Sequence, residues 1–182
     1  MLHEIIGTKL EVSDCDTTFD SVYQKEYVPQ EYIDEIKSAN LLILPYEEFR
    51  GEACPLFPET TREFYDFLKE NSDERVLCDI AISDSDFNRI ELHSAAIDVA
   101  TIIVDSLVYE IAVGLIVSFL WDLIRRYHRE PENTSAKVEI IVEETKRKKS
   151  KKIKYSGPVS GIKDTLEKAA DNLFADESKN DN

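Results

Sequence analysis

Three side chains of this sequence, Asp79, Glu91 and His93, have the types that suit metal chemistry. Each is predicted to lie on or just after a short strand, where a sheet edge can bring ligands together. Two carboxylates with an imidazole would hold a divalent cation that activates water, which is the chemistry of a metal-dependent hydrolase or nuclease. Because 37 of the 182 residues are acidic, chance placement also accounts for this set. We keep this activity as an alternative and expect no metal site.

A cysteine-nucleophile site is the second arrangement considered. Cys54 lies in a proline-flanked loop, and His93 and Asp79 would supply its base and its orienting acid. Nothing in their spacing supports a triad, because triads are recognised by geometry and not by order along the chain. The chain also has no glycine-rich phosphate loop and no nucleophile elbow. We therefore expect no catalytic residue and no cofactor.

Basic residues are concentrated in one run, Lys146 to Lys154 (KRKKSKKIK), which holds seven of the 22 Lys and Arg and no acid. The net charge is −15, so the rest of the chain is strongly acidic and repels nucleic-acid phosphates. We expect a solvated, flexible hairpin loop that contacts an acidic partner, an anionic lipid surface or RNA, or the chain's own acidic body. The residues assigned to this contact are Lys146, Arg147, Lys148, Lys149, Lys151 and Lys152.

A second predicted contact surface is the loop 45–58 (PYEEFRGEACPLFP), which holds three prolines and one of the five glycines. Its candidate contact residues are Glu47, Glu48, Phe49 and Arg50. The three cysteines are widely spaced and form no CxxC pair, which indicates a reducing compartment and predicts a cytoplasmic protein.

The longest apolar segment runs from 105 to 127, and polar or small residues recur in it at every fourth position. This spacing drifts about 40° per step on a helix, so the polar stripe is expected to spiral around it. Such a helix is either a buried core helix or a membrane helix. Glu110 lies on it without a local basic partner, so it is expected to point into a groove where another chain docks. Asp122, in contrast, has Arg125 and Arg126 within one turn.

Membrane insertion of residues 99–121 is possible by length, since 23 residues can cross a bilayer. Asp105 and Glu110 would each cost about 2.5–3.5 kcal/mol near the centre of a span. The basic flank lies after the segment, so the positive-inside rule would send about 100 acidic residues across the membrane. The sequence favours a buried helix, and a membrane-associated protein anchored by 99–121 remains an alternative.

The periodicity predicts an α/β fold, with α+β as the alternative class, in which a small mixed sheet packs on the long apolar helix. Residues 1–127 form the predicted body, and a β-hairpin with a helix at 136–174 either extends it or forms a small lobe. Residues 175–182 are predicted to be a disordered tail. Thr60 and Glu63 are predicted to form a capping box, and Ser106 to cap the long helix. The predicted strands are 10–12, 40–44, 75–82, 100–104, 136–144 and 152–156, and the predicted helices are 30–39, 61–70, 106–127 and 160–174.

The layout of residues 105–174 carries a resemblance to a known family. An apolar helix ends in Trp121-x-x-x-Arg125-Arg126, and a polar linker, two strands around a charged turn and a short helix follow. This resembles the effector-associated components of bacterial conflict systems, which are small accessory proteins. The resemblance implies an adaptor or regulator of a separate effector and assigns no catalytic residue.

Together these observations predict a non-enzymatic intracellular protein that binds a protein partner. The acidic body makes a nucleic-acid partner unfavourable, whereas mimicry of nucleic acid by that body is a weaker alternative. Membrane contact remains possible, and the sequence does not determine the oligomeric state.

Overall fold

The fold was analysed in a computed structural model that describes residues 7–51, 55–92 and 94–174. Its strands are β1 (Lys9–Cys15), β2 (Leu41–Leu44), β3 (Phe57–Pro58), β4 (Cys78–Ile80), β5 (Arg89–Ile90), β6 (Ile97–Asp98), β7 (Thr101–Asp105), β8 (Ser135–Glu144) and β9 (Lys149–Pro158). Its α-helices are α1 (Phe19–Tyr23), α2 (Ile33–Ser38), α3 (Thr61–Asn71), α4 (Tyr109–Arg126) and α5 (Ile162–Asn172). Short 3₁₀ turns precede α2, α4 and α5 at Gln30–Tyr32, Ser106–Val108 and Val159–Gly161, and another lies at Asp84–Asp86.

A mixed sheet organises the chain. Among the described residues it has seven strands, in the order β1-β9-β8-β7-β2-β4, with β6 also paired to β8. β8 runs parallel to β7 and antiparallel to β9, so the C-terminal hairpin lies inside the sheet. β1 pairs with β9 and lies at one edge, and β4 lies at the other. The fold class is the predicted α/β class, with a mixed sheet and a long apolar helix.

One face of the sheet is covered by α3, α4 and α5, and we call it the α4 face. Alternate residues of the strands, such as Ile43, Ile102, Ile140 and Ile153, point to this face and are fully buried. This alternation follows from the pleat, which directs successive side chains to opposite faces. The large core between sheet and helices therefore lies on this side.

The opposite face, which we call the α2 face, is covered by α1 and α2. The intervening residues Leu42, Leu44, Ile103 and Ile141 point to it and form a second, smaller core. The strands β2 and β7 are buried on both faces, and their apolar runs LLIL and IIV fit this position. Beyond the two helices, this face is exposed at Glu11 of β1, Lys154 of β9 and Lys137 of β8.

The long helix α4 is mostly buried against the sheet, as the sequence favoured. Ten of its residues are buried, and Phe119 stacks on Phe64 and Phe67 of α3 with ring centroids 5.0 and 5.6 Å apart. By length and composition alone, Ser106–Arg126 could cross a membrane, but 61% of its most apolar window is buried in the fold. The apolar character of this helix is thus used by the core.

Two predicted helix caps are wrong. Thr60 is in the helical region of the backbone and makes no side-chain cap; its hydroxyl donates instead to the Asp98 carbonyl at 2.8 Å. The turn before α4 is capped by Asp105, whose carboxylate accepts from the Leu107 amide at 2.9 Å, and not by Ser106.

The start of α1, which covers part of the α2 face, is bound to the sheet by a hydrogen bond to a buried carboxylate. The amide of Phe19, the first residue of α1, donates to Glu143 Oε2 of β8 at 2.6 Å, and Glu143 is 3% exposed. Burial raises the pKa of Glu143, and this hydrogen bond partly opposes the rise. A capping box between Thr18 and Ser21 also stabilises the start of α1.

Candidate protein-binding surfaces

The loop 45–58 is attached to the body near α1 and not extended away from it. Glu47 forms an ion pair with Lys25 at 3.0 Å and accepts a hydrogen bond from the Tyr27 hydroxyl at 3.2 Å. Glu48 is exposed, and Phe49 is half-buried under the guanidinium of Arg50, which lies 5.1 Å from the ring centroid. Residues 52–54 lie outside the described part, so the contact surface is defined for the first half of the loop.

The lysine run differs from the prediction of a flexible loop. Only Lys146 to Lys148 lie in the turn, and Lys149 to Lys154 belong to β9. Pairing of β9 with β8 on one side and β1 on the other gives this segment two backbone ladders. These ladders override the low strand propensity of lysine.

Carboxylates of the chain itself pair with much of the run. Lys148 contacts Asp20 at 2.9 Å, and Lys151 contacts Asp14 at 3.2 Å. Lys152 contacts Glu139 at 3.5 Å, and Arg147 contacts Glu144 at the same distance. An external acidic partner would have to compete with these internal pairs. Because most are exposed, each contributes little to stability, and salt weakens them.

The two predicted contact surfaces lie at opposite ends of β7. The loop 45–58 follows the end of β2 that pairs with the start of β7, whereas the lysine turn follows the end of β8 that pairs with the end of β7. The end of β2 lies level with Glu139 in the middle of β8, five residues before the lysine turn, which is about 17 Å along the strands.

Glu110 is exposed, and its contact with another docked chain stays a prediction. It lies on an exposed stripe of α4 and of the turn before it, which we call the α4 stripe. Spacings of three and four alternate along this stripe, so its members stay on one side of the helix. Its residues are Leu107, Glu110, Ile111, Gly114, Ser118, Trp121 and Arg125.

The α4 stripe has large apolar side chains at both ends and small residues between them. Leu107 is 86% exposed and Trp121 is 38% exposed. Between them, a Cβ added to Gly114 would meet no atom within 4 Å, so no described neighbour packs on this glycine. The carboxyl end is held by Arg126, which contacts Asp122 at 3.2 Å, as predicted, and Glu63 of α3 at 3.1 Å. The stripe is therefore a shallow surface on a rigid helix.

The lysine turn lies at the start of this stripe. The Thr145 hydroxyl donates to Asp105 Oδ2 at 2.5 Å, and the other oxygen of Asp105 caps Leu107. This connection joins the turn after β8 to the turn before α4.

The residues considered for metal or nucleophile chemistry are not brought together. Asp79 lines a cleft of about 670 Å³ at the edge of β4, whereas Glu91 lines a different cleft of about 590 Å³ near the end of α4. One carboxylate oxygen of Asp79 accepts from the Ile80 amide at 2.8 Å. His93 and Cys54 lie outside the described residues. Within them, no group of three or more His, Cys, Asp or Glu could hold a metal ion.

The sequence interpretation missed Leu107 and Trp121 as surface residues. The recurrence of polar or small residues at every fourth position was interpreted as a stripe that spirals around the helix. The residues of the α4 stripe are instead separated by alternating intervals of three and four positions. Comparison with protein-family models, with curated proteins and with solved structures finds no match to this chain.

Proposed function

We propose that this protein is a non-enzymatic accessory protein that binds a protein partner through the α4 stripe. The exposure of Leu107 and Trp121 on an otherwise buried helix is the observation that carries the proposal. A partner that covers both would bury apolar surface around a small-residue centre, which suits close packing of another helix. The resemblance of residues 105–174 to effector-associated components supports an adaptor or regulator role in bacterial defence.

The chemistry of the stripe favours protein over nucleic acid. Leu107, Ile111 and Trp121 are apolar, and Glu110 and Arg125 add only one charge of each sign. Protein interfaces are enriched in aromatic residues and Arg, and their centres are depleted in charged residues. Phosphate recognition would need several cations, and much of the lysine run is occupied by the chain's own acids.

A cytoplasmic location follows from the same proposal. For α4 to enter a bilayer, its buried residues would have to leave the core and expose the α4 face of the sheet to water. Membrane fractionation tests this part of the proposal. Recovery in the soluble fraction without detergent supports it, and recovery only in a carbonate-resistant membrane pellet rejects it.

The binding surface is tested by affinity purification of the full-length chain from its native host. We expect one stoichiometric protein partner, lost when Leu107 is replaced by Asp or Trp121 by Ala. Leu77→Asp is the matched control, because Leu77 is 54% exposed and lies beside β4, not on the α4 stripe. Retention of the partner by Leu107→Asp, or its loss from Leu77→Asp, would show that the surface is elsewhere.

A further inference from the structure

The two edges of the sheet are protected to different degrees. β4 has only three residues, and the Asp79 side chain accepts the Ile80 amide, so this edge offers little free backbone. β1 has seven residues, pairs with β9 on one side, and has no described residue paired to its other side. A long free edge presents unpaired amide and carbonyl groups to any strand that can align with it.

The side chains of β1 add to this exposed backbone. Leu10 is 39% exposed and Val12 is 46% exposed, and both point to the α4 face beside Tyr155 and Ile153 of β9. The intervening residues Lys9 and Glu11 point to the other face and form an ion pair at 3.0 Å. The edge thus has an apolar side and a charged side, and each would have to be matched by an added strand.

We propose that this free edge pairs with the β1 strand of a second copy, antiparallel and centred on Leu10. In this register Leu10 faces Leu10 across the two-fold axis, and Lys9 of each copy faces Glu11 of the other. The two Lys9–Glu11 ion pairs, one within each strand, are replaced by two Lys9–Glu11 ion pairs between the strands, so every charge keeps a partner. An isologous contact of this kind uses one patch on both subunits.

Neighbouring registers are less favourable. A strand pair centred on Glu11 places two carboxylates directly opposite, which is destabilising. A pair centred on Val12 places Lys9 opposite Cys15 and removes both charge matches. The charge pattern of β1 therefore selects its own sequence in one register.

The contact is small. In this register only Lys9, Leu10 and Glu11 face β1 residues of the other copy, whereas Val12 and Ser13 face Thr8 and Gly7. Stable interfaces bury about 1,600 Å² in total, and so short a strand pair falls well below this size. We therefore expect a reversible dimer whose population depends on protein concentration. The α4 stripe lies on another part of the molecule, so the dimer is independent of the proposed partner binding and would present two such stripes.

Light scattering after size-exclusion chromatography of the full chain tests the proposal with reversed charges. We expect the wild type to change from monomer to dimer as concentration rises roughly a hundredfold. Lys9→Glu and Glu11→Lys each place like charges opposite each other at two positions, so each is expected to weaken the dimer about tenfold or more. The double variant Lys9→Glu/Glu11→Lys restores the matches and the dimer.

A mixture of the two single variants is the decisive sample. Lys9→Glu carries two acids and Glu11→Lys two bases at these positions, so the mixture is expected to form a heterodimer although neither variant dimerises alone. Heterodimer formation also shows that both variants fold. A wild type that stays monomeric, even if it binds an unrelated peptide at this edge, overturns the proposal. The proposal is also overturned if the single variants dimerise as strongly as the wild type.

Discussion

Phe119→Ala tests whether α4 is the central core helix of a water-soluble fold. Phe119 is fully buried, and its ring packs on two phenylalanines of α3 at centroid distances of 5.0 and 5.6 Å. Truncation of a buried Phe costs about 3–5 kcal/mol, and the two ring contacts place this site toward the upper part of that range. Since small domains have about 5–15 kcal/mol of stability in total, the loss should be easy to measure.

The assay is urea unfolding in detergent-free buffer, and the matched control is Ser118→Ala. Ser118 is the preceding residue but lies on the exposed α4 stripe, and alanine favours the helix, so its change should stay within about 0.5 kcal/mol. Equal stabilities for the two variants would refute the packing of α4 against α3. If the wild type is insoluble without detergent, the premise that α4 is the core helix of a water-soluble fold is refuted before any unfolding is measured.

Three further perturbations follow from particular contacts. Glu143→Ala leaves a buried amide without an acceptor and should cost about 1–3 kcal/mol in urea unfolding, whereas Glu143→Gln keeps an acceptor. Because burial raises the pKa of Glu143 in the folded state, the native protein binds a proton that the unfolded chain releases, and wild-type stability falls as pH rises through this window. The stability of Glu143→Gln relative to wild type should therefore increase as pH rises above the ordinary pKa of a glutamate, and a constant difference would contradict the raised pKa. Burial also raises the pKa of the Cys78 thiol, so Cys78 should react with a thiol reagent more slowly than the half-buried Cys15. Peptide mapping of the labelled protein measures the two rates. Faster labelling of Cys78 would mean that β4 opens. Lys148→Ala removes an exposed ion pair with Asp20 and should leave the urea midpoint unchanged in high salt, while a clear loss there would give this pair a structural role.

The sequence was most informative where burial is strong. The apolar segments 40–44 and 100–104 were predicted to be buried strands, and β2 and β7 lie there, because a strand covered on both faces lacks polar alternation. The long apolar helix and the C-terminal hairpin with its helix were also anticipated. In contrast, β9 begins three residues before the predicted strand, since its lysines gain order from two neighbouring ladders that no local pattern reveals.

The candidate surface was harder to predict than the fold. Which side of α4 is exposed depends on the neighbours that cover the helix, and the residues of the α4 stripe are left exposed or partly exposed. Strand order was also outside local reasoning, because pairing of β1 with β9 joins residues from the two ends of the chain. Such long-range pairing leaves no periodic signal in either segment.

The pairing of β1 with β9 has a consequence for synthesis of the chain. The partners are roughly 140 residues apart, so β1 has no strand to join until about 140 further residues have left the ribosome. Closing so long a loop is slow, and the exposed Leu10 and Val12 remain available to chaperones or to other nascent chains during this interval. A premature stop before β8 would also leave β7 without its neighbour, so messages truncated there should yield aggregated or degraded products and not a smaller folded body.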